Sequence, residues 1–330
     1  MQCLLVTQRG DRSVGRKITT CQTAELPAGD VLVEVMYSSL NYKDALGATG
    51  HAGVVSHFPH VPGIDAAGIV VNDASGRFAI GDRVIVTGFD LGAGRWGAYA
   101  EYIRVPADWV VPLPAGLSLR ESMILGTAGF TAAMCLNIIL HHGIEPDDGE
   151  VVVTGASGGV GTLAIALFAQ SGFKVVAISG KPEARPLLQR LGAIEVLPRS
   201  AVLDDSNKSL LKPRWAAAVD TVGGLTLASM LRSAKPRGCV AACGLVGGAD
   251  VPITVFPFIL RGVTLAGVDS AWYPATRRVT IWSKLAGPWK PKLLEELAVE
   301  VRLDELDTKI EAILAGRVVG RIVVAIKTET

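Results

Sequence analysis

A chain of 330 residues, 49% of them hydrophobic and 19% charged, carries enough apolar surface for two domain-sized cores and is too hydrophobic to be a disordered polymer. Its formal net charge of +1 excludes the broad positive field by which nucleic acid or an anionic membrane is bound, so an anionic ligand has to be met by local groups. The cysteines Cys3, Cys21, Cys135, Cys239 and Cys243 form no CxxC pair and lie among apolar or small residues, which suits reduced thiols in the cytoplasm better than a disulfide framework.

Met1 to Gly10 has neither a basic leader nor a sustained apolar stretch, so neither a secretory signal nor an anchor is expected there. Alternation in Val31-Leu32-Val33-Glu34-Val35, then Gly81-Asp82 turning into Arg83-Val84-Ile85-Val86, with glycines and prolines between, predicts a small, irregular β-rich domain. Ser122 to Leu140 is uncharged for 19 residues, long enough to span a bilayer. It contains Gly126, Thr127, Gly129, Thr131 and Asn137 and has no second apolar span for company, so a buried helix between domains is the expectation, with no membrane partner.

From Glu150 the pattern changes to short apolar runs separated by helical stretches, the signature of a parallel sheet with crossover helices. Strands are expected at Val151–Thr154, Lys174–Ser179, Glu195–Leu197, Ala216–Asp220, Cys239–Ala242 and Thr264–Gly267, with helices at Val160–Gln170, Ala184–Leu191 and Leu225–Ser233. The βαβ order, repeated, predicts an α/β fold with a doubly wound sheet. After Ser270 the chain returns to mixed helix and strand, ends in the strand-like Arg321–Ile326, and is expected to rejoin the first domain.

The first strand of that series runs directly into Gly155-Ala156-Ser157-Gly158-Gly159-Val160-Gly161 and then an apolar helix. Glycines are needed in such a turn because side chains would keep the backbone from a pyrophosphate, while N–H groups at the helix start supply donors and a positive dipole end. The second strand ends in Ser179-Gly180-Lys181, with no carboxylate to take ribose hydroxyls and a cation suited to a 2′-phosphate, so NADPH is expected over NADH. Arg185 and Arg199 are candidates to complete that phosphate clamp.

A catalytic zinc wants three protein ligands and one open position. His51, His57, His60, His141 and His142 form no metal-binding spacing and no cysteine cluster accompanies them, so no metal is expected. The adjacent Lys43 and Asp44 read as a local ion pair rather than a catalytic couple.

The segments Ser38-Ser39-Leu40-Asn41-Tyr42-Lys43-Asp44, Pro62-Gly63-Ile64-Asp65, Gly126-Thr127-Ala128-Gly129-Phe130-Thr131-Ala132, Thr154 to Gly161, Asp220-Thr221-Val222-Gly223, Cys243-Gly244-Leu245 and Val268-Asp269-Ser270 together carry a resemblance over essentially the whole chain. The sequence resembles the zinc-free medium-chain dehydrogenase/reductases of the quinone-oxidoreductase branch, most of all the acrylyl-CoA reductase subfamily. Ile64 stands where zinc-dependent relatives carry a histidine. The resemblance implies a Rossmann domain of six parallel strands, residues 125–270, inserted in a smaller GroES-like catalytic domain, residues 1–124 and 271–330. It implies cofactor contacts from Tyr42, Ser157, Gly158, Gly159, Val160, Ser179, Gly180, Lys181, Arg199, Leu245, Ile259 and Ser270. A homodimer is the usual assembly among such relatives.

The implied reaction is reduction of the C=C bond of acrylyl-CoA or a related short 2-enoyl-CoA. Hydride reaches the β-carbon, negative charge collects on the thioester oxygen, and the α-carbon is protonated. Tyr42 and Asn41 are the candidate catalytic residues, as donors to the enolate or the nicotinamide carboxamide. Arg277 and Arg278, with Lys284, Lys290 and Lys292, are candidates to meet the phosphates of coenzyme A. The competing readings are a quinone or enone reductase and a non-enzymatic NADPH-binding protein. Tyr42 and the intact glycine loop stand against the last.

Overall fold

The computed structural model describes residues 1–10 and 13–327. Its contacts divide the chain into two compact units, one of Met1–Thr127, Ser270–Gly287 and the stretch from Leu294 on, the other of Ala128–Asp269 with Pro288–Leu293.

The first unit is built on a seven-stranded sheet. Its strands run in the spatial order Ala298–Arg302, Arg321–Ala325, Val31–Leu40, Asp65–Asp73, Arg83–Thr87 and Val110–Pro112, with Tyr102–Val105 paired to the Val31–Leu40 strand. A two-stranded antiparallel ribbon of Gln2–Gln8 and Val14–Thr20 accompanies it. Val31, Val33 and Val35 alternate inward at zero exposure against Val70, Val84, Val86 and Ile103, which is why the period-two pattern there was readable as strand. The short helix Tyr42–Ala48 follows the longest strand directly.

The second unit is the doubly wound parallel sheet of an α/β fold. All six strands are parallel, in the order Ala193–Leu197, Lys174–Ile178, Glu150–Val153, Trp215–Asp220, Ala234–Ala242 and Thr264–Gly267. The chain winds outward from Glu150–Val153 to one edge, then returns beside it at Trp215–Asp220 and winds to the other. The switch point lies between those two central strands, and ligands of such sheets bind outside the carboxyl ends of the strands there. The glycine-rich turn leaves the first of the two.

The helix expected at Ser122–Leu140 spans Leu119–His141 and is broken at Gly126, whose φ of 54° and ψ of −131° are not helical. It is long and apolar enough to cross a membrane, but 78% of its most apolar window is buried inside the protein, as in a core helix.

Candidate functional site

The turn between the Glu150–Val153 strand and the Gly159–Gln170 helix is tied to the neighbouring strand end by a buried latch. Thr154 Oγ1 donates to Asp220 Oδ1 at 2.6 Å, the Thr221 amide donates to Thr154 Oγ1 at 3.2 Å, and Thr221 Oγ1 donates to the Thr154 carbonyl at 3.0 Å. The other Asp220 oxygen takes the Gly223 amide at 2.7 Å. Burial raises the Asp220 pKa against these bonds, which favour the carboxylate. Gly155, at φ 59°, has no room for a side chain, because a Cβ would fall on Thr221 Oγ1; a Cβ on Gly161 would fall on the Gly155 carbonyl. The loop is thus pressed flat onto its own helix and strand. No side chain caps the helix start at Gly158. Gly158, Gly159 and Val160 are partly exposed, and Ser157 is tucked beneath. A cradle with backbone donors, a dipole end and no competing side-chain acceptor fits a pyrophosphate.

At the tip of the next strand Ser179 is buried, and its hydroxyl accepts the Lys181 amide at 3.1 Å. Arg199 lies across Gly180, where a Cβ would meet its Nε at 3.0 Å. Burial, and then the Arg199 charge, lower the Lys181 pKa against the opposing pull of Glu183. Two cations flanking a glycine and a serine hydroxyl fit a terminal phosphate. Arg185 is not brought there: its Nη2 donates to the Val196 carbonyl at 2.7 Å. Leu245 and Ile259 are 67% and 68% exposed, so neither is a core residue of this unit. Ser270 belongs to the first unit and lends its carbonyl to Arg278 Nη2 at 2.6 Å.

In the first unit Tyr42 is the first residue of its helix and is 43% exposed, while Asn41 before it is the N-cap. The Asn41 side chain is engaged within the fold at both ends of its amide. Its Nδ2 donates to Ser39 Oγ at 3.2 Å, Asp44 Oδ2 at 3.1 Å and Asp65 Oδ2 at 2.8 Å, and its Oδ1 accepts Arg321 Nη1 at 3.0 Å. Asp44 is not the ion-pair partner of Lys43. It is fully buried and accepts the amides of Asn41, Gly63 and Ile64 at 2.8, 3.1 and 2.7 Å. Burial and the facing Asp65 push its pKa up to about 7. Asp65, equally buried, takes Ser39 Oγ at 2.7 Å, the Thr127 amide at 3.1 Å and Thr127 Oγ1. Burial raises its pKa, opposed by those donors and by Arg321.

This polar network escaped the sequence reading, because its members come from four distant segments. One signal was available: Arg321 opens a strand in which all five residues are buried, and a buried guanidinium demands partners.

The coenzyme A candidates fare differently. Arg277 is exposed, but Arg278 is 1% exposed and spent within the fold. Its guanidinium donates to the carbonyls of Tyr273, Ser270 and Ala271 and to Thr87 Oγ1, and it lies 4.4 Å from the centroid of the Phe89 ring. It is a structural residue and not a phosphate ligand.

Among the described residues no three His, Cys, Asp or Glu side chains gather into a group able to hold a metal. His60, the one buried histidine among them, bonds the Gly92 carbonyl at 3.1 Å. Catalytic zinc therefore does not fit the residues present, Ile64 at 5% exposure included.

A two-unit oxidoreductase with a dinucleotide cradle in an α/β domain and a β-rich companion is the class this architecture defines. Two family models match, the alcohol dehydrogenase GroES-like domain over residues 27–115 and the zinc-binding dehydrogenase over residues 159–279. The chain belongs to the medium-chain dehydrogenase/reductase family. It is 44% identical over 300 residues to the acrylyl-CoA reductase of Ruegeria pomeroyi, covering 91% of each chain. The structure of an oxidoreductase from Salmonella enterica in complex with NADP superposes with a TM-score of 0.96 at 46% identity, covering 99% of this chain and 100% of that one. A Bacillus subtilis protein with NAD bound superposes at 0.95 and 44% identity, covering 98% and 99%.

Proposed function

We propose that this enzyme reduces the C=C bond of acrylyl-CoA, or a related short 2-enoyl-CoA, with NADPH. The observation that carries the cofactor assignment is the Lys181 and Arg199 pair around Gly180 and Ser179, beside the uncapped glycine cradle of Ser157 to Val160. A carboxylate at that strand tip would favour NADH; here cations stand instead. When bound, NADPH supplies the hydride. Leu245, Ile259 and Ser270 are assigned to the cofactor with these residues, Leu245 and Ile259 having the exposure a ligand contact needs.

The chain's own contribution to chemistry is assigned to Tyr42. Its exposed phenol is a donor for the negative charge that develops on the thioester oxygen as the β-carbon is reduced, and the α-carbon takes a proton from solvent or from that hydroxyl. Asn41, with both ends of its amide engaged, serves by holding the chain before Tyr42. No metal ion takes part in this scheme.

The enzyme is proposed to act as a cytoplasmic homodimer. A quinone or enone is the second substrate class, and the engagement of Arg278 inside the fold favours it, because it removes a candidate for the coenzyme A phosphates. The deciding experiment follows NADPH oxidation with acrylyl-CoA, crotonyl-CoA and a benzoquinone side by side. A kcat/KM at least tenfold higher for acrylyl-CoA is expected; turnover of the quinone alone overturns the proposal in favour of the second class.

A further inference from the structure

We propose that Asp65 and Arg321 are positioning residues for the reaction, fixing through Asn41 the backbone from which Tyr42 projects and so setting kcat rather than the affinity for either ligand. The inference rests on the role given above to Tyr42.

Three observations carry it. First, the two side chains pull on opposite ends of one amide: Asp65 accepts from Asn41 Nδ2 at 2.8 Å, and Arg321 donates to Asn41 Oδ1 at 3.0 Å. An amide held at both ends has no rotational freedom left, and it belongs to the N-cap residue immediately before Tyr42. Second, both clamps are themselves anchored on the long helix Leu119–His141, and Asp65 also on the Val31–Leu40 strand. Arg321 Nε donates to the Ile124 carbonyl at 2.9 Å, and Asp65 is gripped by Ser39 and by the Thr127 amide and hydroxyl. The position of Tyr42 is thereby referred to the strands beginning at Asp65 and Arg321 and to the long helix at once.

Third, the arrangement is a poor device for stability. Asp44 and Asp65 are 0% exposed and Arg321 3%, and Arg321 Nη2 has no hydrogen-bond partner. Apolar side chains of similar volume would hold the same strands together without burying three ionisable groups. What apolar packing cannot supply is a directional grip on one residue, and a small misplacement of a reacting group is enough to cost a large factor in rate.

Asn41→Ser tests the clamp mildly, since serine still caps a helix start while losing both long-range bonds. Asp65→Asn combined with Arg321→Met tests it from the other side, removing both charges so that neither is left buried alone. In each variant kcat for acrylyl-CoA is expected to fall by about tenfold to a hundredfold, with KM for NADPH and for acrylyl-CoA within about twofold of wild type and the far-ultraviolet spectrum unchanged. Wild-type kcat in a folded Asn41→Ser variant overturns the proposal, as does a loss confined to melting temperature or to KM. Wild-type protein that oxidises NADPH with none of the acceptors removes the functional reading itself, which separates the two failures.

Discussion

Burial and the neighbouring Asp65 push the Asp44 carboxyl up to about 7, far above an unfolded aspartate near 4. Between those values the folded chain holds a proton that the unfolded chain has lost, so its contribution to stability is full at about pH 4, falls as the pH rises, and is exhausted above about pH 7. Asp65, Tyr99 and Arg321 face the group, and His60, whose pKa burial lowers, produces the opposite slope below its unfolded value near 6.5. The Asp44 share is isolated by comparison with Asp44→Asn. Denaturant titrations from pH 4 to 8 are expected to show wild type losing stability relative to that variant, by at most about 1.4 kcal/mol per pH unit; parallel pH profiles would contradict it. At the cofactor, Lys181→Ala and Arg199→Ala are each expected to raise KM for NADPH by about tenfold to a hundredfold while leaving KM for NADH within about twofold. Equal changes for both cofactors would remove the phosphate role. The placement of Ser157 to Val160 at a strand-to-helix turn and of Ser179 to Lys181 at a strand tip was legible because each is a run of neighbours whose pattern is local. Arg278 was misread because charge suggests solvent, yet Arg278, Ile281, Trp282 and Leu285 recur at helical spacing and form the buried face of the Ala275–Ala286 helix.

Gly126 shows what a single position does for an element. The long helix breaks there at a positive φ, and a Cβ would press on Arg321 Nη2 and Ser39 Oγ, each 2.9 Å away, as well as on the Asp65 carboxylate. Gly126→Ala is expected to cost at least about 2 kcal/mol, from backbone strain plus displacement of the buried network, and thermal or denaturant unfolding measures it. A stability within about 0.5 kcal/mol of wild type would mean the helix can straighten through this point. The sequence pointed to a buried helix here but not to its break, since glycine in an apolar run has no unique reading. The central strands were easier, because Val151 to Val153 and Val175 to Ile178 are buried on both faces and stand out as short apolar runs. Expectation fell short at the Ala234–Ala242 strand, whose first half is Lys235, Pro236 and Arg237. Pairing jumps from Trp215 with Ala234 to Ala217 with Cys239, and Arg237 adopts φ 61°, so the ladder is interrupted where the sequence carried no strand pattern.

At the scale of the whole molecule, the six-stranded sheet ends on one side in Thr264–Gly267, which pairs only with Ala234–Ala242 and leaves its other edge free among the described residues. An open edge beside apolar side chains is a template for pairing with another chain. Val255, Leu260 and Leu265 are 63%, 63% and 40% exposed in and beside that strand. A second copy related by a two-fold axis would meet the edge with the same edge, closing the sheet of each on the other and covering the same apolar residues. The proposed homodimer is therefore expected to form here. Sedimentation should give twice the mass of one chain at micromolar concentration, and Leu260→Lys with Leu265→Lys should weaken association by about a hundredfold or more. Both residues lie outside the glycine cradle and the Tyr42 network, so the isolated chain should retain its fold and its affinity for NADPH. A double variant that remains dimeric at nanomolar concentration would move the interface elsewhere, and a wild type that sediments as a single chain would abolish it.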